Sequence, residues 1–179
     1  ARDATFLQTK TILHRPLVEV RQYICVCSLE SQGEETPMAI LSKDRIFLQG
    51  SAVDKADAIR QAGQLLVQTG CVLPQYIDGM LAREQSMSTS LGNGVAIPHG
   101  VYENRDHILQ TAISVLQLPG GVAWDEDETV YLVIGIAASG DEHVGVLSNL
   151  AEAVEDEDTL EEMIHTENPD VILDRLTAA

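Results

Sequence analysis

The chain is poor in basic residues. Its 179 residues include 11 Lys and Arg against 28 Asp and Glu, which gives a formal net charge of −17. A phosphate backbone is held by clustered Lys and Arg, so this balance argues against nucleic acid as a partner. An anionic membrane surface is disfavoured for the same electrostatic reason. The composition therefore predicts an acidic protein that binds neither of these polyanions.

The chain also has no long apolar run and only a few cysteines. The longest apolar runs, such as residues 130–138, reach about ten residues, whereas a membrane-spanning helix needs about 20. The three cysteines, Cys25, Cys27 and Cys71, do not make a disulfide framework in a chain of this length, and we expect reduced thiols. Because no apolar run before a small-residue cleavage site opens the chain, we expect a cytoplasmic location without membrane insertion.

The residues that are present change character near residue 38. Hydrophobic residues make up 45% of the chain, which is enough for the core of one domain. Residues 1–37 carry four basic and five acidic side chains, whereas residues 38–179 carry seven and 23. We predict that residues 1–37 are an extension of unknown role and that residues 38–179 form the functional domain. The alternative is that residues 23–27 add a strand that buries apolar surface of that domain.

Strand and helix signals alternate after residue 38. Asp54 is placed to cap a helix that ends near Gly70, and Pro74 begins a second helix that ends near Glu84. The strand candidates are residues 45–48, 95–97, 111–117 and 130–137, the last being buried on both faces, with a turn at residues 118–121. Helices are predicted over residues 142–153, 158–165 and 169–176. This alternation predicts an α/β protein built as a three-layer sandwich.

One segment, residues 91–100 (LGNGVAIPHG), places a histidine where a strand stops. Pro98 cannot extend the hydrogen-bonding ladder of a strand, and Gly100 has no side chain to crowd the imidazole of His99. Open α/β sheets bind ligands at the carboxyl ends of their strands, so His99 is a candidate functional residue. A turn that contains a surface histidine explains the spacing equally well.

A second strand end is found in residues 137–143 (AASGDEH), with His143 in the first turn of the helix that follows. The N–H groups of a helix N-terminus favour phosphate. Arg83, near the end of the second predicted helix, has a planar guanidinium that suits a phosphoryl group. The alternatives are a cap residue at His143 and, at Arg83, a last-turn cation that interacts with the helix dipole.

A metal site is a further interpretation of His99 and His143. Zinc needs three or four ligands, and no cysteine lies at a matching strand end, so we expect no metal. The other histidines, His14, His107 and His165, are interpreted as ordinary surface or partly buried residues.

Four segments together resemble the enzyme IIA domain of the fructose–mannitol class of the bacterial sugar phosphotransferase system. They are residues 79–84 (GMLARE), 91–100 (LGNGVAIPHG), 133–138 (VIGIAA) and 141–143 (DEH). The resemblance begins near Met38, covers about 140 residues, and is closer to the fructose branch, the domain that heads the diphosphoryl transfer protein, than to the mannitol branch. Residues 1–37 match nothing in the family.

The resemblance implies a three-layer α/β/α sandwich with a mixed central sheet and a phosphotransferase that needs no cofactor. His99 would accept a phosphoryl group from phospho-HPr or an HPr-like domain and pass it to a cysteine of enzyme IIB, during uptake of fructose rather than mannitol. His143 aligns with the second active-site histidine, and Arg83 with the arginine beside the site. Neutral imidazole suits this role because, with an ordinary histidine pKa near 6.5, most of it is unprotonated at pH 7.

Two other functions compete with sugar transport. One is a regulatory phosphoprotein of the nitrogen-related branch, whose phosphorylation state controls its partners. The other is a metal-dependent enzyme that uses His99 and His143. An enzyme IIB domain encoded nearby would favour transport, whereas tight zinc binding would favour the metal enzyme.

Overall fold

The computed structural model describes residues 40–138 and 141–177, without the side chains of residues 141–145 and 149. Within this part of the chain, five strands form one sheet in the order β1–β4–β5–β3–β2. The strands are β1 Ile46–Phe47, β2 Ser90–Gly92, β3 Val95–Ala96, β4 Ala112–Asp125 and β5 Glu128–Ala137. β1 pairs with β4 and β3 pairs with β5 in parallel, whereas β4 with β5 and β2 with β3 are antiparallel. The sheet is therefore mixed, as expected.

Helices cover both faces of this sheet. They are α1 Lys55–Gln68, α2 Tyr76–Ser86, α3 Asp141–Glu155, α4 Glu157–His165 and α5 Pro169–Thr177, with short 3₁₀ helices at Lys43–Arg45 and Tyr102–His107. One apolar core joins α1 and α2 to the sheet, and a second joins α3, α4 and α5 to its other face. We call these sides the first face and the second face. The predicted three-layer α/β/α sandwich is confirmed.

The central strand β5 shows how the sequence builds the two cores. Val133 packs into the core of the first face, and its neighbours Leu132 and Ile134 pack into the core of the second face. All three are fully buried. Successive side chains of a strand point to opposite faces, so a strand covered on both sides is apolar at nearly every position. The prediction for residues 130–137 is confirmed.

The two helices of the first face begin differently. The Asp54 carboxylate caps α1 by accepting the N–H of Asp57 at 2.7 Å, and Gly70, with φ +72°, follows its end. α2 begins at Tyr76 rather than at Pro74. Its buried side includes Met80, which is fully buried, together with Tyr76 and the acidic Glu84.

The predicted turn at residues 118–121 is wrong. β4 continues through this segment and turns only at residues 126–127, before β5. The pairing register shifts between Gln117 and Val122, and Gly121 has a φ of +66°, a conformation that favours glycine. Trp124 beyond the irregularity is buried, so apolar packing continues past the glycines.

Several other predictions concern residues outside the described part of the chain, namely the extension over residues 1–37, its candidate strand at residues 23–27, Cys25, Cys27 and His14. Cys71 is a free, buried thiol. None of the described helices has the length and apolar character that crossing a membrane requires. The predicted cytoplasmic location stays a prediction.

Candidate functional site

His99 lies at the edge of the sheet where two parallel strands end. It forms an isolated parallel bridge with Ile136 of β5, three residues after the end of β3. The N–H of Ile136 donates to the carbonyl of Pro98 at 2.9 Å. The histidine therefore sits at the carboxyl end of both strands, the place where open α/β sheets bind ligands.

The imidazole of His99 is oriented by its own backbone. The ring is half-buried, and its Nδ1 lies 2.9 Å from the carbonyl oxygen of Ile97. Because a carbonyl only accepts hydrogen bonds, Nδ1 carries the proton and the lone pair of the neutral ring is on Nε2. The local geometry thus selects the tautomer in which Nε2 is the nucleophile.

A buried carboxylate holds the segment that orients this ring. Glu84 is 6% exposed, and its Oε2 accepts the N–H of Thr89 at 2.8 Å and the Thr89 hydroxyl at 2.6 Å. The carbonyl of Thr89 in turn accepts the N–H of Ile97 at 2.9 Å. Hydrogen bonds through Thr89 and Ile97 therefore link Glu84 of α2 to the imidazole of His99.

Lys55 links these hydrogen bonds to the far end of β4. Its Nζ lies 3.2 Å from Glu84 and 2.9 Å from Asp125, which also accepts the hydroxyl of Ser88 at 2.7 Å. The hydrogen bond to Asp125 raises the pKa of Lys55, and the same bond lowers the pKa of the Asp125 carboxyl. The charge of Glu84 is thus matched by a nearby cation.

Tyr76 links Gly100, the residue that follows His99, to Ile136 of β5. Its side chain is almost fully buried, and its hydroxyl accepts the N–H of Gly100 at 2.9 Å and donates to the carbonyl of Ile136 at 2.7 Å. Burial raises the pKa of Tyr76 to about 12, so the phenol stays protonated over the physiological range. A Cβ on Gly100 would lie 2.5 Å from the tyrosine ring, which explains the glycine after His99.

Arg83 is half-buried near the end of α2. Its Nη1 donates to the carbonyl of Met87 at 2.8 Å, a bond to the loop that follows its own helix. Tyr76 and Arg83 are seven residues apart, nearly two helical turns, so they lie on the same side of α2 and about 10 Å apart along its axis. The guanidinium of Arg83 thus binds this loop, and its predicted place beside His99 stays a prediction.

His143 is in the first turn of α3, whose first residue, Asp141, follows the last residue of β5 by four positions. β5 and β3 are parallel neighbours, so the start of α3 and His99 follow strand ends at the same edge of the sheet. The backbone thus brings the two predicted histidines to one edge. The side chain of His143 lies outside the described part of the structure.

The other described histidines, His107 and His165, are surface or partly buried residues, as predicted. His107 is half-buried in a 3₁₀ helix, and His165 is exposed at the end of α4. Among the residues that the structure describes, no group of three His, Cys, Asp or Glu side chains could hold a metal ion.

Sequence reasoning missed Tyr76 and Glu84, although both hold the segment that carries His99. A tyrosine in the first turn of a helix and a glutamate in its last turn are ordinary helical residues. The only local signal for Tyr76 is Gly100, which hints at a close neighbour without identifying it.

A three-layer sandwich with a histidine at the carboxyl edge of its mixed sheet is the architecture of a phosphotransferase component that carries a phosphoryl group on histidine. The chain belongs to the EIIA 2 family of the phosphoenolpyruvate-dependent sugar phosphotransferase system, whose family model matches residues 39–179. The predicted fructose–mannitol class is confirmed.

Among curated proteins, a multiphosphoryl transfer protein of Escherichia coli O157:H7 is 50% identical over 123 residues, which are 69% of this chain and 33% of that protein. The mannitol-specific EIICBA component of Pasteurella multocida is 41% identical over 156 residues, which are 86% of this chain and 25% of that protein. The chain thus spans a third or less of the length of these relatives.

Solved structures agree with this assignment. The crystal structure of the mannitol IIA of Escherichia coli has a TM-score of 0.72 and 42% identity, and the match covers 76% of this chain and 99% of that one. A complex of mannitol IIA with phosphorylated mannitol IIB from Escherichia coli gives a TM-score of 0.74 at 40% identity over 78% of this chain and 98% of that one. The nitrogen regulatory IIA protein of Neisseria meningitidis gives a TM-score of 0.67 at 26% identity over 77% and 97%.

Proposed function

We propose that His99 is the residue that accepts the phosphoryl group. The observation that carries the proposal is the hydrogen bond from Nδ1 of His99 to the carbonyl of Ile97, which leaves the lone pair on Nε2. A half-buried ring at the edge of the sheet is accessible to a donor while its orientation stays fixed. Phosphoryl transfer depends mainly on such positioning and on charge stabilisation, with little covalent chemistry for the protein to perform.

The transfer is a substitution at phosphorus. The lone pair on Nε2 of His99 attacks the phosphorus of a phosphohistidine on the donor, and the donor P–N bond breaks as the new P–N bond forms. The electron pair of the broken bond stays on the donor nitrogen, and the proton on Nδ1 remains directed at Ile97. In the onward step a cysteine thiolate of enzyme IIB attacks the phosphorus, and the electron pair returns to Nε2.

The incoming group brings nearly two negative charges to a strongly acidic chain, so nearby donors matter. We assign His143, the N-terminal N–H groups of α3 and Arg83 to this stabilisation. The start of α3 lies at the same sheet edge as His99. Arg83 would have to exchange its bond to the carbonyl of Met87 for the phosphoryl oxygens.

An HPr or HPr-like domain is the proposed donor, and enzyme IIB is the proposed acceptor. The acceptor is supported by the likeness to a mannitol IIA solved in complex with phosphorylated IIB. Mannitol has more support than fructose, because the chain resembles mannitol-specific EIICBA components and a solved mannitol IIA. We therefore place mannitol ahead of fructose, in reverse of the order that the sequence resemblance favoured.

Control of partner proteins is the alternative function, as in the nitrogen-related branch. The nitrogen regulatory IIA of Neisseria meningitidis shares the fold at 26% identity, against 42% for the mannitol IIA of Escherichia coli. The higher identity favours sugar transport. Transfer of label from this chain to a mannitol IIB domain, compared with a fructose IIB domain and with no acceptor, separates these three possibilities.

The role of His99 is tested by phosphorylating the full chain with enzyme I, HPr and labelled phosphoenolpyruvate and then mapping the labelled residue. We expect one phosphoryl group, on His99. His99→Ala should fold and accept no label, whereas the matched control His165→Ala, altered at an exposed histidine of α4, should be labelled at the wild-type rate. Label on any residue of His99→Ala would show that His99 is not the sole phosphoryl acceptor and would contradict the proposal.

The same assay tests the assisting residues. Loss of a hydrogen bond to a charged group costs about 1.5–3 kcal/mol, or roughly ten- to a hundredfold in rate. His143→Ala and Arg83→Ala should therefore still be labelled at His99, with slower transfer in at least one half-reaction. Wild-type rates in both half-reactions would remove the role from the residue concerned.

We also propose that residues 38–179 carry this function without residues 1–37. The match of the family model to residues 39–179 supports this boundary. A chain that starts at Met38 should melt within a few degrees of the full chain and accept phosphate at the same rate. Unfolding or loss of transfer would assign residues 1–37 to the domain.

A further inference from the structure

We propose that Tyr76 is a positioning residue for phosphoryl transfer, because its hydroxyl fixes the main chain on the carboxyl side of His99. The inference rests on the proposed role of His99 as the phosphoryl acceptor. It assigns no contact between Tyr76 and the phosphoryl group. The residue acts through the backbone that carries the imidazole.

One residue of β5 holds both peptide groups that flank His99. The N–H of Ile136 donates directly to the carbonyl of Pro98 at 2.9 Å. The carbonyl of Ile136 accepts the hydroxyl of Tyr76 at 2.7 Å, and the same hydroxyl accepts the N–H of Gly100 at 2.9 Å. Ile136 thus holds the peptide before His99 directly, by strand pairing, and the peptide after His99 through the tyrosine hydroxyl. We call this pair of restraints the clamp.

The fit between Tyr76 and Gly100 makes this clamp specific. The tyrosine ring is 2% exposed, and an added Cβ on Gly100 would lie 2.5 Å from its Cε2 and 2.9 Å from its Cζ. The ring thus fills the space that a side chain after His99 would need. Small movements of the Gly100 peptide are limited by the ring on one side and by the bond to its hydroxyl on the other.

This restraint bears on the nucleophile because the position of the His99 backbone determines the aim of its ring. The hydrogen bond from Nδ1 to the carbonyl of Ile97 closes within three residues, so it is sensitive to rotation of the peptides around His99. If the peptide of Gly100 is freed, that bond weakens and the tautomer with the proton on Nε2 becomes populated. A ring in that tautomer lacks the lone pair at Nε2 that attacks phosphorus.

The experiment compares the full wild-type chain with Tyr76→Phe, which keeps the ring and removes only the hydroxyl. The matched control is Tyr131→Phe, which removes the hydroxyl of a half-buried tyrosine on β5, five residues before Ile136 and about 16 Å away along the strand. Two quantities are measured. One is the rate of label transfer from phospho-HPr to His99, and the other is the tautomer of the unphosphorylated imidazole, read from its ring nitrogen shifts by NMR.

Of the two hydrogen bonds that Tyr76→Phe removes, the one to Gly100 restrains His99, and loss of one bond between neutral groups should slow phosphoryl acceptance by about two- to tenfold. We also expect a smaller fraction of the tautomer protonated on Nδ1. Tyr131→Phe should leave both quantities at wild-type values. Gly100→Ala, which displaces the tyrosine ring while keeping its hydroxyl, should change the tautomer in the same direction and serves if Tyr76→Phe does not fold.

A wild-type rate with a wild-type tautomer in folded Tyr76→Phe would overturn the inference. So would lower thermal stability with an unchanged tautomer, since that combination describes a purely structural tyrosine. Failure of the proposed function is separately visible, because the wild-type chain would then carry its label at a residue other than His99 or carry none.

Discussion

The two faces of the sheet use their buried residues differently. On the first face, buried polar side chains of α2 reach the segment that carries His99, with Tyr76 bonded to Gly100 and Glu84 bonded to Thr89. On the second face, the large buried side chains of the described core are apolar. Its buried polar residue, Gln117, donates to the carbonyls of Met163 and Thr166 and so binds the end of α4 to the sheet.

This contrast separates stability from positioning. Apolar burial stabilises a fold in proportion to the area removed from water, but it has little directional preference. Hydrogen bonds among buried groups have preferred distances and angles, so they fix the position of a backbone. The polar side chains of α2 on the first face therefore fix the orientation of His99, whereas the apolar core of the second face stabilises the sheet, and the proposed phosphoryl contacts of the second face are confined to the start of α3. Three predictions test this division.

The largest expected effect is on the second face. Ile134 is fully buried there, so Ile134→Ala should lower the free energy of unfolding by about 2–5 kcal/mol, through lost burial and the cavity left behind. Ile134→Val should cost about 0.5–1.5 kcal/mol. Denaturant unfolding measures both, and the labelling rate of the folded variants should equal that of the wild-type chain. Slower phosphoryl transfer in Ile134→Val would contradict the division between a positioning face and a stabilising face.

The next effect is the loss of unfolding free energy at alkaline pH, which depends on Tyr76 of the first face. The pKa of Tyr76 is raised by burial from about 10 to about 12, so its stabilising contribution is fully present below pH 10 and is lost as the pH rises towards 12. A shift of this size corresponds to about 2–3 kcal/mol of unfolding free energy. Tyr76→Phe should lose stability less steeply over this range than Tyr131→Phe. Parallel pH profiles of the two variants would contradict the assignment.

The smallest of the three effects is expected at Glu84. Glu84→Gln keeps the size of the side chain and removes the charge that accepts from Thr89 and pairs with Lys55, at a cost of about 1.5–3 kcal/mol at pH 7. Because Thr89 holds Ile97, phosphoryl acceptance by His99 should slow as well. The control, Glu161→Gln on an exposed turn of α4, should change neither quantity. A destabilised Glu84→Gln that transfers at the wild-type rate would restrict this carboxylate to the fold.

Local chemistry was enough to predict most elements. The predicted cap at Asp54 is confirmed, because a cap and the amide it binds are only three residues apart along the chain. The apolar residues 130–137 were predicted as a central strand, because burial on both faces removes the alternation of polar residues. Where local and distant preferences compete, prediction failed, as at Gly121, where β4 continues through a glycine that signals a turn and its pairing with β5 resumes at Val122.

The layered architecture and the family follow from the sequence alone, and the proline before His99 and the glycine after it single out this histidine. Only the tertiary structure showed which residues hold that histidine. The bonds from Tyr76 to Ile136 and from Ser114 to Ala62 join residues 60 and 52 positions apart. Periodicity and spacing describe neighbours along the chain, whereas these bonds depend on how strands and helices from distant segments are brought together, and no local pattern encodes that arrangement.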